Sequence, residues 1–113
     1  MSYDKYRQTQ RSVESPRQTE YRIFGQMNTR LKKARNSGRS TEMIQAVAWN
    51  RRFWLALQSD LAADDNKLPD KLRAQLISLS IFVDKQSGKV IRGEEDVEVL
   101  IQLNSNVMAG LAP

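Results

Sequence analysis

The fold of this chain is decided by residues 54–83, which read WLALQSDLAADDNKLPDKLRAQLISLSIFV. An apolar helical pattern ends in the polar segment Asp60–Asn66, and a second one restarts through Leu68-Pro69-Asp70. Pro69 suits the first turn of a helix, because its fixed φ matches the helix and its missing N–H is not needed there. Asp70 then places negative charge at the positive end of the helix. This stretch predicts two helices joined by a polar loop.

Residues 15–31, SPRQTEYRIFGQMNTRL, predict another helix with a well-defined start. Ser15 is a typical N-cap, Pro16 suits the first helical position, and Gln18 is placed to complete a capping box. Apolar residues follow at the three- and four-residue steps of one helical face, namely Tyr21, Phe24, Met27, Leu31 and Ala34. The segment Asn36-Ser37-Gly38 is expected to end this helix.

Two further helices complete the predicted fold. One is expected over residues 41–63, capped by Ser40 or Thr41, with a broad apolar surface that implies contacts on more than one side. The last begins around Glu94-Glu95-Asp96, and Gly88 is expected to fray or bend the helix before it. The expected core includes Trp54, Leu57, Leu61, Leu72, Leu76, Leu79 and Val83. The pattern predicts an all-α bundle of about four amphipathic helices, with a single domain over residues 15–113 and a flexible or weakly helical basic arm over residues 1–14.

Composition argues against several classes of chemistry. The 113 residues include no cysteine and no histidine, which removes disulfides, thiol nucleophiles and the commonest general base and metal ligand. We therefore expect no enzyme activity, no cofactor, no metal site and no small-molecule substrate. The group Asp60, Asp64 and Asp65 lacks the alternation and the glycine of a calcium loop. No apolar run approaches the roughly 20 residues that cross a bilayer, and no secretory signal is present, so a cytoplasmic location without membrane contact is expected.

The net charge of +5 is unevenly distributed along the chain. Residues 1–39 hold ten Lys/Arg against three acids, which gives +7, whereas residues 40–113 hold eight Lys/Arg against ten acids, which gives −2. A basic N-terminal part favours an acidic partner such as RNA, a membrane surface or an acidic protein. The same pattern also fits a solvated helix face that keeps the protein soluble.

Three segments in series resemble the flagellar protein FlaF family of alphaproteobacteria. They read SPRQTEYRIFGQ at 15–26, RRFWLALQSDLAADDNKLPDKLRAQLISLSIFV at 51–83 and LIQLNSNVMAGL at 100–111. The resemblance implies a small cytoplasmic factor needed for flagellin production and filament assembly. It further implies a flagellin-specific chaperone or regulator that acts in opposition to FlbT, a regulator of flagellin messenger RNA. No catalytic residue is implied by the family.

The apolar surfaces of the first two helices are the predicted flagellin-binding site. The terminal segments of flagellin, as the family resemblance implies, are amphipathic helices that need a cover before export. We hypothesise that the first helix, or the cleft between it and the second, contacts them through Tyr21, Phe24, Met27, Leu31, Trp49 and Phe53. The alternative for each of these residues is a place in the core. Asn50 and Asn104 interrupt apolar stripes, either as exposed edges or as a buried polar contact that fixes helix register.

A second function stays open at this point. The protein would then be a post-transcriptional regulator that acts on flagellin messenger RNA directly or through an FlbT-like partner. Arginines and the tyrosines Tyr3, Tyr6 and Tyr21 supply phosphate-binding and stacking groups. Direct contact with RNA is disfavoured, because the N-terminal part has no RNP-type or KH-type signature.

Overall fold

The computed structural model describes residues 15–111 and contains four α-helices in that range. Helix α1 is Pro16–Ser37, α2 is Ser40–Ala62, α3 is Asp70–Ile91 and α4 is Glu98–Leu111. The described residues contain no strand, and the predicted all-α bundle is confirmed. The predicted basic arm, residues 1–14, lies outside the described residues.

The start and the end of α1 follow the sequence prediction. The Ser15 hydroxyl accepts a hydrogen bond from the Gln18 backbone N–H at 3.1 Å, and the Gln18 side-chain oxygen accepts one from the Ser15 N–H at 2.9 Å. This reciprocal pair is a complete capping box, with Pro16 at the first helical position. Gly38 follows the helix in the left-handed conformation, with φ at 67°. Such a φ is strained for a residue with a Cβ. Because glycine has none, the chain turns here at little cost.

The later helix boundaries differ in detail from the prediction. Pro69 lies at the N-cap of α3 rather than inside its first turn. The fray predicted at Gly88 is wrong, because α3 runs without interruption to Ile91. A glycine inside a helix costs roughly 1 kcal/mol, and burial of the neighbouring Ser87 and Val90 against the bundle offsets that cost. Helix α4 begins at Glu98, whose N–H donates to the Asp96 carboxylate at 2.8 Å.

The four helices form a flat molecule with an unequal set of contacts. Its extents are 45 × 40 × 21 Å. Helix α3 packs along α2, α2 packs along α1, and α4 packs along α1, whereas α3 and α4 scarcely touch. The two outer helices therefore diverge from each other on one side of the α1–α2 pair.

All four helices contribute buried apolar residues to the core. The buried apolar residues with the least exposure include Phe24, Met27, Leu31, Val47, Trp54, Leu61, Val83 and Leu100. Phe24 makes edge-to-face contacts with Phe53 at 5.2 Å and with Trp54 at 5.4 Å between ring centroids. The predicted core residues Trp54, Leu61 and Val83 are confirmed.

The remaining predicted core residues are less enclosed. Leu57, Leu76 and Leu79 are half-buried, and Leu72 is 39% exposed. The prediction for Leu72 is wrong for a tertiary reason. No helix within residues 15–111 covers that side of the N-terminal half of α3, because α4 diverges from it.

Polar side chains form a buried network that joins α1, α2 and α4. The Asn104 amide donates to the Asn28 and Asn50 side-chain oxygens at 3.0 and 2.7 Å, and its oxygen accepts from the Trp54 indole N–H at 3.0 Å. Asn28 also donates to the Ile101 carbonyl at 3.1 Å. The sequence left Asn50 and Asn104 as exposed edges or buried register contacts, and both are fully buried. The register role is the one that this geometry supports.

Candidate partner-binding groove

The divergence of α3 and α4 leaves a large open groove between them. Its volume is about 1410 Å³. The C-terminal half of α2 and the first turns of α1 form its floor, and the loop that precedes α3 closes one edge. Its apolar lining consists of Phe24, Leu57, Leu61, Leu68, Leu72, Leu76, Leu79, Val99, Leu103 and Val107. A groove with this lining suits an apolar guest.

The walls of the groove follow from apolar stripes on two helices. On α3, Leu72, Leu76 and Leu79 recur at three- and four-residue steps and face the groove. Helix α4 has two stripes. One is buried against α1 and α2 and includes Leu100 and Asn104, while the other, Val99, Leu103 and Val107, lines the groove and is only half-buried. The second stripe of α4 therefore has no helix of the described chain to cover it.

Charged residues around the groove are mostly acidic. The acidic lining residues are Glu20, Asp60, Glu95, Asp96 and Glu98, and the basic ones are Arg17 and Lys67. The Glu98 carboxylate pairs with Arg35 of α1 at 2.5 Å, on a partly exposed surface. This acidic excess contrasts with the net charge of +5 of the whole chain. The groove is thus a locally negative region on a positive protein.

Glu20 has a perturbed acidity within this lining. Burial raises the pKa of the Glu20 carboxyl above its ordinary value, the negative charge of Asp60 raises it further, and Arg17 acts in the opposite direction. An acid with a raised folded-state pKa stabilises the fold at low pH. That contribution is lost as the pH rises through the folded-state pKa.

Replacement of Glu20 by glutamine tests this electrostatic description. Because the raised pKa means that the ionised carboxyl is disfavoured in the fold, the penalty that glutamine removes increases as the pH rises. We expect the melting temperature of Glu20→Gln to exceed that of the wild type by about 1–3 °C more at pH 7 than at pH 4. Thermal unfolding of both proteins across this pH range measures the difference. Parallel curves for the two proteins would contradict the assigned pKa direction.

The sequence-predicted site residues are distributed between core and surface. Phe24, Met27 and Leu31 are fully buried and offer no side-chain area to a partner in this structure, although Phe24 also borders the groove floor. Tyr21 is 39% exposed. Trp49 is half-buried beneath the Arg30 guanidinium, 5.1 Å from the ring centroid, and Phe53 is half-buried against Phe24.

The cleft predicted between α1 and α2 is therefore filled by their own aromatic side chains. Contact of the six predicted residues with flagellin stays a prediction. The open apolar surface lies instead between α3 and α4. Sequence reasoning placed Leu72, Leu76 and Leu79 in the core and did not consider Leu103 as a site residue. The sequence did contain a signal for a second contact face on α4. Apolar residues recur there at four-residue steps, Val99, Leu103 and Val107, beside the separate stripe that packs into the core.

The described residues carry no sign of a membrane span or a metal centre. None of the four helices is both long and apolar enough to cross a bilayer. Within residues 15–111, no group of three or more acidic side chains is arranged to hold a metal ion.

Comparison with known proteins bears on the whole chain. No curated protein and no solved structure gave a match. A family model described as "Flagellar protein FlaF" matches residues 2–111. This match spans all four helices and both walls of the groove, and it agrees with the resemblance of the three sequence segments. FlaF is not a known enzyme family, and its members have flagellum-related functions. The chain therefore belongs to the FlaF family of flagellar proteins.

Proposed function

We propose that this protein binds flagellin and thereby promotes its synthesis and export during assembly of the flagellum. The observation that carries the proposal is the open apolar groove between α3 and α4. Family membership supplies the flagellar context. The groove supports a mechanism without chemistry, in which an apolar helical stripe of flagellin is covered until export. Such cover prevents aggregation and premature packing of flagellin subunits.

The dimensions of the groove support a helical guest. The apolar lining that α4 supplies begins at Val99 and extends to Gly110, about 17 Å along the helix, which accommodates about three turns of a guest helix. Three turns place about four large apolar side chains in the groove, and their burial is worth about 6–12 kcal/mol. Burial of the groove leucines adds to this favourable free energy, whereas association itself costs at least about 4 kcal/mol.

A matched pair of substitutions on α3 tests the proposal. Leu72 lines the groove and is 39% exposed, whereas Ile81 is 58% exposed on the same helix and does not line it. Because both side chains are partly solvated, Leu72→Ser and Ile81→Ser should both fold. We expect Leu72→Ser to weaken flagellin binding about 10-fold and Ile81→Ser to leave it unchanged. Isothermal titration of purified flagellin into each variant measures this.

Two outcomes of this titration would contradict the proposal. If the wild-type protein does not bind flagellin, the proposed function is wrong. If both variants bind flagellin as tightly as the wild type does, the groove is not the binding site. Circular dichroism of both variants serves as the control for folding.

The alternative function is regulation of flagellin messenger RNA, directly or through an FlbT-like partner. The groove does not favour RNA as its occupant, because its lining is mostly acidic and repels phosphate. A gel shift with flagellin leader RNA at rising salt tests direct contact. Specific binding would survive moderate salt, whereas a general polyelectrolyte contact would fall steeply.

A further inference from the structure

We infer that the groove selects an amphipathic guest helix that carries lysine or arginine at both ends of its apolar stripe, with Glu20 and Asp60 facing one end and Glu95 and Asp96 facing the other. The inference deepens the proposed function and rests on it for the identity of the natural guest. It specifies the charge pattern that such a guest needs. It also predicts which helices of similar apolar character the groove rejects.

The placement of the two acidic groups follows from the helix directions. Helix α4 is antiparallel to α1, since Arg35 near the end of α1 pairs with Glu98 at the start of α4. Glu20, in the first turns of α1, therefore lies toward the C-terminal end of α4, and Glu95 precedes its N-terminal end. The 14 residues of α4 separate the two groups by about 20 Å. This distance matches the three-turn apolar stretch of the groove.

Asp60 is unfavourably placed for the stability of the free protein. It lies in the last turn of α2, where the exposed backbone carbonyls already make the helix end negative. Basic residues are usually preferred at such an end, but the last turn of α2 contains none. Asp64 comes shortly after it in the loop. The Arg73 side chain donates to the Leu61 carbonyl at 3.0 Å, which offsets part of the negative potential. The part of this local cost that Arg73 does not offset is typical of a functional position.

Glu20 adds to the negative potential at this end of the groove. Burial and, after it, the negative charge of Asp60 raise the pKa of its carboxyl, and the nearby Arg17 opposes this rise only in part. In the described part of the chain, neither carboxylate forms an ion pair within 4 Å. A lysine or arginine of a guest helix would relieve both repulsions. Because Glu20 is half-buried, its attraction for such a group is stronger than one at an open surface, whereas Asp60 is exposed and contributes less.

Two synthetic helical peptides test the inference. Both carry the same three-turn leucine stripe, and one has lysine pairs at its ends where the other has glutamate pairs. We expect the wild-type protein to bind the lysine peptide at least about 10-fold more tightly at low salt, with a smaller preference at high salt. Fluorescence anisotropy of labelled peptides measures both affinities. Equal affinities, or a preference for the glutamate peptide, would overturn the inference.

Asp60→Asn locates the preference within the groove, and Asp64→Asn is its matched control. Both remove one negative charge near the end of α2, but only Asp60 lines the groove. We expect Asp60→Asn to reduce the lysine preference about 3- to 10-fold and to raise the melting temperature by about 2–4 °C. Asp64→Asn should leave the preference unchanged. Equal effects of the two variants would show a general field effect and overturn the assigned site.

The peptide experiment and the flagellin titration test the two proposals independently of each other. A lysine preference without flagellin binding by the wild-type protein would disprove the proposed function and retain the charge selectivity. Flagellin binding without any lysine preference would disprove the charge selectivity and retain the proposed function.

Discussion

Replacement of Asn104 by leucine is expected to destabilise the protein by about 3–6 kcal/mol. The side chain is fully buried and makes three hydrogen bonds, to Asn28, Asn50 and the Trp54 indole. Leucine has a similar size but no polar atoms, so a buried indole N–H and two amide oxygens lose this partner together. Each unsatisfied buried group costs about 1–3 kcal/mol. Urea unfolding, followed by tryptophan fluorescence, measures the free energy of unfolding.

Asn106→Leu is the matched control for this substitution. Asn106 lies on the same helix and is exposed, and its side-chain oxygen accepts from Gln102 at 3.2 Å. Its replacement should change the free energy of unfolding by less than about 0.5 kcal/mol. A stability for Asn104→Leu equal to that of the wild type would show that apolar packing compensates the lost network. The register role assigned to these asparagines would then be wrong.

Replacement of Phe24 by alanine is expected to cost about 3–5 kcal/mol of stability. The Phe24 ring is fully buried and contacts both Phe53 and Trp54 edge to face. Its removal leaves a cavity where α1 meets α2 and loses two aromatic contacts of about 0.5–1.5 kcal/mol each. The same urea titration measures this loss. A cost below about 1 kcal/mol would mean that the neighbouring rings close the cavity.

Tyr21→Ala provides the comparison for Phe24→Ala, because Tyr21 lies one turn earlier on α1 and is 39% exposed. Its removal should cost less than about 1 kcal/mol. The contrast also bears on experimental design. A charged residue at position 24 would unfold the protein before it reported on flagellin binding. Substitutions at solvated groove positions such as Leu72 separate binding from folding.

The helices were predictable because their signals are local. The capping box at Ser15 and Gln18 and the left-handed Gly38 depend on residues three or four positions apart, and the structure has both as the sequence predicts. Gly88 was mispredicted because its intrinsic cost is small beside the burial of its neighbours. Propensity measured one residue at a time does not include that burial.

The location of the candidate site was not predictable from periodicity. Phe24 and Leu72 belong to apolar stripes of similar appearance, yet one is fully buried and the other is 39% exposed. Aromatic content directed the sequence argument to α1 and α2. In the structure, those aromatic rings fill the contact between these two helices instead of remaining open to a partner.

The sequence by itself determined the four helices, the family and the presence of polar residues inside apolar stripes. Tertiary structure alone decided which stripes are covered. The physical reason is that an apolar stripe indicates only that a helix can pack against a neighbour. The directions of the other helices decide whether a neighbour is present. Here α4 packs on α1 and diverges from α3, so the facing stripes of α3 and α4 are left uncovered by the described helices.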